Sequence, residues 1–309
     1  MATILITGGT GLIGRALTTH LTRLGYQVII LTRDPAKAKP LPGVRYASWD
    51  IGRGTIDAAA LAEADALVHL AGAGVAEKRW SEKRKKEIVD SRVDSGALLV
   101  KAIGELPNKI KVVVGASAIG YYGPDPAVPN TAPFQETDQP NDDFLGRTCV
   151  LWENSLHPLK ERLRLVQGRI GIVLANDGGA MEEFRKPLKF GIATILGNGK
   201  QVISWIHVDD VIRFITFAIE HESIHGVYNL VAPVPVSNKE LIMETAKQFR
   251  GKYFIPVYVP SFALKLALGD MSIEVLKSAT VSSKKLQLSG FTFLHPSVSN
   301  AVTALAGKA

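Results

Sequence analysis

A glycine-rich segment near the start of the chain carries the first recognisable chemistry. Residues 8–14 read GGTGLIG and lie between a short β-branched run and a segment with helical spacing. Gly8 permits a tight turn, Gly11 lets a pyrophosphate approach the backbone, and Gly14 lets the helix pack close to the sheet. The helix then points its unpaired amides at the phosphates. An ordinary strand–turn–helix is the alternative, but the flanking elements favour a dinucleotide site. Its predicted residues are Gly8, Gly11, Leu12, Ile13 and Gly14.

The end of the second predicted strand selects the type of dinucleotide. NAD-binding proteins carry an acidic residue roughly 20 residues beyond the glycines, where it binds the ribose hydroxyls. This chain has Thr32 there, followed by Arg33. A guanidinium suits a 2′-phosphate, so the pair favours NADP(H) over NAD. In the alternative interpretation Arg33 is merely solvated, and Asp34 binds the ribose or caps the next turn.

A third strand ends in small residues that could lie beside the adenosine. Leu70, Ala71 and Gly72 would let the cofactor lie against the backbone, although a simple strand-end turn would look the same. The basic run at 79–87 follows. It shows no alternation of aromatic and basic residues and no nucleic-acid motif, so it is typical of a solvated helix face and predicts no nucleic-acid partner.

Alternating apolar runs and helical segments place these motifs in an α/β fold. Continuous apolar runs predict strands buried on both faces, hence a doubly wound parallel sheet of the Rossmann type. The runs are Thr3–Thr7, Val28–Thr32, Ala66–Leu70, Lys111–Ala116 and Leu163–Leu174.

The later part of the chain predicts a smaller second lobe. We expect residues 1–176 and 201–232 to form the dinucleotide-binding domain, and residues 177–200 and 233–309 to form a substrate lobe. A small-molecule or nucleotide-linked substrate would bind between them. The glycine-rich stretch 191–199 is expected to be mobile.

Composition narrows the class of protein. Hydrophobic residues make up 46% and charged residues 21%, as in ordinary soluble domains. The single cysteine, Cys149, excludes an internal disulfide and fits a reducing compartment. We expect no signal peptide, no membrane span and a cytoplasmic location. The net charge of +7 could favour acidic partners such as nucleotide phosphates, but by itself it does not identify one. Because His157, His221 and His225 show no ligand spacing, no metal is predicted.

Together, the motifs resemble the atypical, epimerase-like branch of the extended short-chain dehydrogenase/reductase superfamily, whose proteins include nucleoside-diphosphate-sugar epimerase family members. The matching segments are ITGGTGLIGRAL, LTRD, LAGAGV, RWSEKRKKEIVDSR, SAIGYYG, DFLGRTCVLWE, RIGIVL, SWIHVDDV and YNLVAPVPVSNKE. The tail from Tyr253 onward resembles that branch's small C-terminal extension. The resemblance implies NADP(H) binding, with Thr32 and Arg33 at the 2′-phosphate and Leu70 and Ala71 beside the adenosine. It also implies cofactor-side positions for Glu87, Arg92 and Val173.

The resemblance also shows where the superfamily's catalytic pair is missing. The superfamily uses a tyrosine acid/base and a lysine four residues later, which lowers the tyrosine pKa. Alignment places Leu145 and Cys149 at those positions, and neither can replace the pair. Ser117 resembles the serine that polarises the substrate carbonyl, although Ala118 fits that place in another register. The nearby candidates for a proton donor are Tyr121 and Tyr122, which could equally be packing residues.

Two functions from different classes fit these observations. The first is an NADP(H)-dependent oxidoreductase or epimerase-like enzyme. The second is a cofactor-binding sensor or regulatory protein with little or no turnover. His207, in SWIHVDDV, is predicted mainly to cap a helix, and the resemblance places it near the substrate cleft. Both a monomer and a homodimer remain open.

Overall fold

The elements of the chain alternate between strands and helices. The computed structural model describes residues 2–307. Their strands are β1 (Thr3–Thr7), β2 (Gln27–Thr32), β3 (Val44–Asp50), β4 (Thr55–Ile56), β5 (Ala66–His69), β6 (Val112–Ala118), β7 (Arg164–Ile170), β8 (Ile172–Leu174), β9 (Ile192–Leu196), β10 (Val202–Ile203), β11 (Trp205–His207), β12 (Gly226–Leu230), β13 (Val236–Ser237) and β14 (Ile255–Val259). Their α-helices are α1 (Leu12–Arg23), α2 (Ala58–Glu63), α3 (Glu82–Glu105), α4 (Phe144–Leu156), α5 (Gly179–Leu188), α6 (Val208–Glu220), α7 (Asn238–Arg250), α8 (Ser261–Leu268), α9 (Ser272–Leu276), α10 (Lys284–Leu288) and α11 (Val298–Leu305). Within the described part of the chain, no helix has both the length and the apolar character needed to cross a membrane.

Eight strands form the central sheet, in the order β12-β7-β6-β5-β1-β2-β3-β4. All its pairings are parallel except β3 with β4. Ile4 and Ile6 of β1 join a core cluster with Leu17 of α1, whereas Leu5 joins a second cluster with Leu99 of α3. Because β1 is buried on both faces, helices cover both sides of the sheet. The predicted doubly wound α/β fold is confirmed.

The predicted strand at Leu163–Leu174 is in fact two strands that belong to different sheets. β7 lies in the central sheet, whereas β8 pairs in parallel with β11. Gly171 lies between them, and a Cβ atom there would be 2.6 Å from the carbonyl oxygen of Ser204. The close approach of the two backbones therefore requires glycine at the point where the chain changes sheets.

The glycine-rich stretch at 191–199 contains regular structure rather than the expected mobile loop. Residues 192–196 form β9, which pairs in parallel with β14, and Ala193 and Ile195 are completely buried. The tail also reaches the main core, where Phe291 packs edge-on against Phe214. The division of the chain into two lobes stays a prediction.

Candidate functional site

The glycine turn has the geometry of a phosphate-binding loop. Gly8 follows β1 at φ +70°, and a Cβ atom there would lie 2.7 Å from the carbonyl carbon of Leu70. A Cβ atom on Gly14 would lie 2.2 Å from the carbonyl oxygen of Gly8. Gly11 caps α1 without a side chain. The first-turn amides of α1 therefore remain free to bind an anion at the edge of the sheet.

Arg33, which follows β2, is exposed and makes no ion pair within residues 2–307. Thr32 before it is half-buried. Asp34 already has a partner, because its Oδ2 forms an ion pair with Nζ of Lys37 at 2.8 Å. The strand end thus presents an unpaired cation beside a carboxylate that is already neutralised.

A buried histidine, which the sequence did not single out, fixes the ends of β1 and β5 beside this turn. His69 Nδ1 lies 2.7 Å from the hydroxyl of Thr7, and His69 Nε2 lies 3.2 Å from that of Ser95. The Thr7 oxygen also accepts the amides of Leu70 and Ala71 at 3.2 and 3.3 Å. Burial lowers the pKa of His69 to about 4, so the ring is neutral at neutral pH. These contacts hold Leu70 and Ala71 against the glycine turn.

Arg92 of α3 is a buried cation without a carboxylate partner among the described residues. Its Nη1 donates to the carbonyl oxygens of Ala73 at 3.0 Å and Ile88 at 2.9 Å. The guanidinium carbon lies 4.6 Å from the ring centroid of Trp152. A Cβ atom on Gly72 would lie 3.1 Å from this carbon. Burial lowers the pKa of Arg92, because removal from water disfavours the charged form.

Glu87, one turn before Arg92, is exposed and paired. Its carboxylate lies 2.7 Å from Nη1 of Arg84, whose Nη2 also reaches Glu77 at 3.0 Å. Arg84 is buried and anchors this end of α3 to the loop after β5 through the carbonyl of Gly74. The basic run at 79–87 therefore does more than form a solvated helix face, because Arg84 anchors the start of α3 to the loop after β5.

The residues aligned with the missing catalytic pair face the end of β6. A Cβ atom on Gly120 would lie 3.3 Å from Leu145 and 3.9 Å from the Cys149 sulfur. Cys149 Sγ donates to the carbonyl oxygen of Ala118 at 3.6 Å. Burial raises the pKa of Cys149 to about 12, so it stays a neutral thiol. Helix α4 therefore offers no acid/base group at these two positions.

Ser117 belongs to a buried polar network rather than to an open cleft. Its hydroxyl donates to Oε1 of Glu153 at 2.7 Å. Arg169 grips the same carboxylate in a bidentate pair, with Nε at 2.8 Å and Nη2 at 2.9 Å. All three side chains are buried, and the Ser117 hydroxyl helps to hold the Glu153 carboxylate that Arg169 binds.

The two candidate tyrosines contact each other edge to face beside Arg169 but differ in exposure. Tyr122 is completely buried, accepts from Arg169 Nη1 at 2.9 Å and donates to Asn229 Oδ1 at 2.8 Å. Burial raises the pKa of Tyr122 to about 12. Tyr121 is half-buried, and its ring centroid lies 3.3 Å from the Arg169 guanidinium carbon. Of the two hydroxyls, that of Tyr121 is the better placed to meet a ligand.

Val173 is brought to the start of α1 by the loop after β8. A Cβ atom on Gly179 would lie 3.2 Å from Leu12 Cδ2 and 3.7 Å from the carbonyl oxygen of Val173. Arg15 of α1 donates to the carbonyl oxygen of Asp177 at 3.3 Å. The structure thus gathers this loop, the glycine turn and the β5 end at one edge of the sheet.

Comparisons with known proteins agree with this arrangement. Residues 4–144 and 178–230 match the model of the NAD-dependent epimerase/dehydratase family. An epimerase family protein of Mycobacterium leprae is 33% identical over 307 residues, covering 98% of this chain and 95% of the relative. The chain belongs to the NAD-dependent epimerase/dehydratase family. The epimerase family protein YfhF of Bacillus subtilis is 34% identical over 303 residues, covering 98% of this family member and 97% of YfhF.

The C-terminal segment also matches a known domain, and two solved structures are similar to this chain over almost its whole length. Residues 259–305 of this epimerase/dehydratase family member match a domain of unknown function, DUF1731. The human epimerase family protein SDR39U1, crystallised with NADPH, is 31% identical, with a TM-score of 0.84 and coverage of 99% of this chain and 100% of that one. MoeE5 in complex with UDP-glucuronic acid and NAD is 21% identical, with a TM-score of 0.79 and coverage of 99% and 98%, and shares the fold. The resemblance inferred from the sequence motifs is confirmed.

His207 has the capping role expected of it in this family member. It ends β11, and its Nδ1 accepts the amide of Asp209 at 3.1 Å in the first turn of α6. Burial, reinforced by the neighbouring His295, lowers the pKa of His207 to about 4. The contact with His295 could not be foreseen, because that residue comes from the distant C-terminal tail.

Proposed function

We propose that this chain is an NADP(H)-dependent oxidoreductase or epimerase-like enzyme acting on a small or nucleotide-linked carbonyl or hydroxyl compound. The cofactor would bind across the glycine turn, the ends of β2 and β5, and the loop after β8. Its substrate would lie between the Rossmann domain and the C-terminal segment. The predicted cofactor residues are Gly8, Gly11, Leu12, Ile13, Gly14, Thr32, Arg33, Leu70, Ala71, Gly72, Glu87, Arg92 and Val173.

The choice of NADP(H) rests on the unpaired guanidinium of Arg33. The neighbouring Asp34 is paired with Lys37, and Arg33 makes no ion pair within residues 2–307, so a 2′-phosphate would meet an available cation. The binding of NADPH by human SDR39U1, at 31% identity over the whole chain, supports the same choice.

Arg33→Ala is expected to weaken NADPH binding about 10-fold and to leave NADH binding almost unchanged. A hydrogen bond to a charged group contributes about 1.5–3 kcal/mol, and exposure of Arg33 places it at the low end. Fluorescence titration of both cofactors measures the effect. Lys160→Ala, which removes an exposed lysine before the amino end of β7, is the control. Equal losses for NADPH and NADH would exclude Arg33 as the 2′-phosphate ligand.

The chain's own residues would handle the proton rather than the hydride. NADP(H) supplies or accepts the hydride when bound. Tyr121 would hold a proton at its hydroxyl, for delivery to the substrate oxygen. Ser117 and Tyr122 would position it, since both hydrogen-bond the Glu153–Arg169 pair on which the Tyr121 ring lies.

Turnover should therefore depend on Tyr121 and not on the thiol of helix α4. A positioned acid/base contributes about 10²–10⁴-fold, so Tyr121→Phe should lower kcat at least about 10-fold without changing NADPH affinity. Cys149→Ser should leave kcat nearly intact, because its buried thiol stays protonated. The measurement is NADPH oxidation with a carbonyl substrate found by screening. An inactive but folded Cys149→Ser variant would contradict this assignment.

A sensor without turnover is the second candidate, and the presence of Leu145 and Cys149 at the catalytic positions favours it. Without an acid/base pair, cofactor occupancy could itself be the signal, read through the loop after β8. NADPH binding together with no turnover across a broad panel of carbonyl compounds would establish this candidate over the enzyme.

A further inference from the structure

Two histidines and an aspartate meet where β11 enters α6. His207 ends the strand, Asp209 lies in the first helical turn, and His295 arrives from the tail before α11. The imidazole centroids are 3.9 Å apart, with the rings tilted by 44°. Asp209 Oδ2 lies 3.5 Å from His207 Nδ1 and 3.6 Å from His295 Nε2. One carboxylate oxygen is thus shared between two imidazoles from distant parts of the chain.

This cluster leaves buried nitrogen atoms without partners. Nε2 of His207 and Nε2 of His295 are both buried and make no hydrogen bond. His207 is 3% exposed and His295 is 8% exposed. Native structures pair nearly all such atoms, so His295 Nε2, 3.6 Å from Asp209 Oδ2, is a candidate ligand atom. His207 Nε2 carries the proton while Nδ1 accepts a hydrogen bond, so it becomes a ligand atom only when the ring changes tautomer.

The spacing fits a metal ion better than an ion pair. Both oxygen–nitrogen distances exceed the roughly 2.7–3.2 Å of a hydrogen bond. They match instead the edge, about 3.4 Å, of a tetrahedron whose nitrogen and oxygen ligands lie about 2.1 Å from zinc. Candidate ligand atoms from all three residues lie within 4.8 Å of one another. Imidazole nitrogen with carboxylate oxygen is a ligand set that suits zinc, nickel or cobalt.

The surrounding residues hold the tail in place for such a site. Asp210, completely buried, accepts the amides of Leu294 at 2.6 Å and His295 at 3.0 Å. Arg213 donates to Asp210 at 3.3 Å and to the carbonyl oxygen of Thr292 at 2.9 Å. The backbone of His295 is therefore fixed to α6 by contacts outside the ligand set, as second-layer residues fix metal ligands.

We propose that His207, Asp209 and His295 bind one divalent transition-metal ion with a fourth position open to water. The ion would fasten the C-terminal tail to the junction of β11 and α6. Access would be along Asp209, whose side chain is 46% exposed. The three ligands are not among the residues assigned to the cofactor, although His207 pairs with Leu174 next to Val173, and the sequence alone gave no sign of this site.

Metal binding has a specific consequence for helix α6. The lone pair of His207 Nδ1 now accepts the amide of Asp209. Coordination through Nδ1 uses that lone pair, and coordination through Nε2 requires a proton on Nδ1. By either route the Asp209 amide loses its acceptor, so its hydrogen exchange should speed up when metal binds.

The test uses the full chain, free of any histidine tag and stripped with a chelator, titrated with Zn²⁺ alone by calorimetry. One ion per chain is expected. Binding should weaken at least about 100-fold in His295→Ala and at least about 10-fold in Asp209→Asn. His225→Ala, which removes an exposed histidine outside the cluster, should bind within about twofold of the parent chain. Amide exchange at Asp209, with and without Zn²⁺, supplies the second measurement.

Each outcome decides the proposal. Loss of binding in the cluster variants, with faster exchange at Asp209, supports it. No binding to the parent chain would overturn it, as would equal binding by His295→Ala and the parent chain. If His295→Ala failed to fold, Asp209→Asn would carry the test, because its side chain keeps the same shape. Unchanged Zn²⁺ affinity in Asp209→Asn would then overturn the site.

Discussion

Glu153→Gln is expected to lower the free energy of unfolding by about 3–5 kcal/mol, the usual effect of removing one partner of a buried ion pair. The side chains of Arg169 and Glu153 are only 4% and 6% exposed. Glutamine keeps the shape of the side chain but leaves the Arg169 guanidinium without a counter-charge. Urea unfolding, followed by circular dichroism, should show a lower midpoint at an unchanged slope.

An exposed pair gives the matched control for this experiment. Lys86 and Asp90 lie 2.6 Å apart on α3, with 75% and 42% of their side chains exposed. Asp90→Asn should leave the urea midpoint nearly unchanged, because solvent screens this pair. If Glu153→Gln were equally mild, the network around Ser117 would not be a structural element of the site.

The backbone of the glycine turn could be predicted because its signals are local, whereas the cofactor-binding role of its residues stays a prediction. Gly8, Gly11 and Gly14 act within one turn, and Thr32 with Arg33 mark the end of a single apolar run. Each residue type is dictated by its immediate backbone geometry, such as the positive φ of Gly8. For such residues, the pattern and spacing along the chain are sufficient to predict the local backbone.

The catalytic side could not be predicted in the same way, because its contacts are long-range. A strand alternates its side chains between two faces, so the sequence around β6 leaves open which way Ser117 points. Its partner Glu153 is on α4, and the partner of Glu153 is on β7. Likewise, only the meeting of β8 with β11 reveals why the run at 163–174 breaks at Gly171.

Two buried arginines of this chain are in opposite electrostatic situations. Arg169 has a bidentate carboxylate partner, so its charge is compensated within the fold. Within residues 2–307, the partners of Arg92 are two carbonyl oxygens and the ring of Trp152. A buried cation without a counter-ion contributes little to stability, but it is well suited to bind an anionic or oxygen-rich ligand. We therefore expect Arg169 to support folding and Arg92 to support cofactor binding.

Arg92→Met should separate these two roles. It is expected to weaken NADPH binding about 30- to 150-fold, the equivalent of about 2–3 kcal/mol for a charge-assisted contact in a buried setting. The free energy of unfolding without cofactor should change by less than about 1 kcal/mol, because methionine fills similar space without a buried charge. Fluorescence titration and urea unfolding of the same sample measure both quantities.

Arg169→Met is the matched comparison, because it makes the same chemical change at a paired position. It should destabilise the free protein by about 3–5 kcal/mol, since it leaves the Glu153 carboxylate buried and alone. Equal destabilisation by the two variants would show that Arg92 is a structural residue. Unchanged NADPH affinity in Arg92→Met would remove Arg92 from the proposed cofactor site.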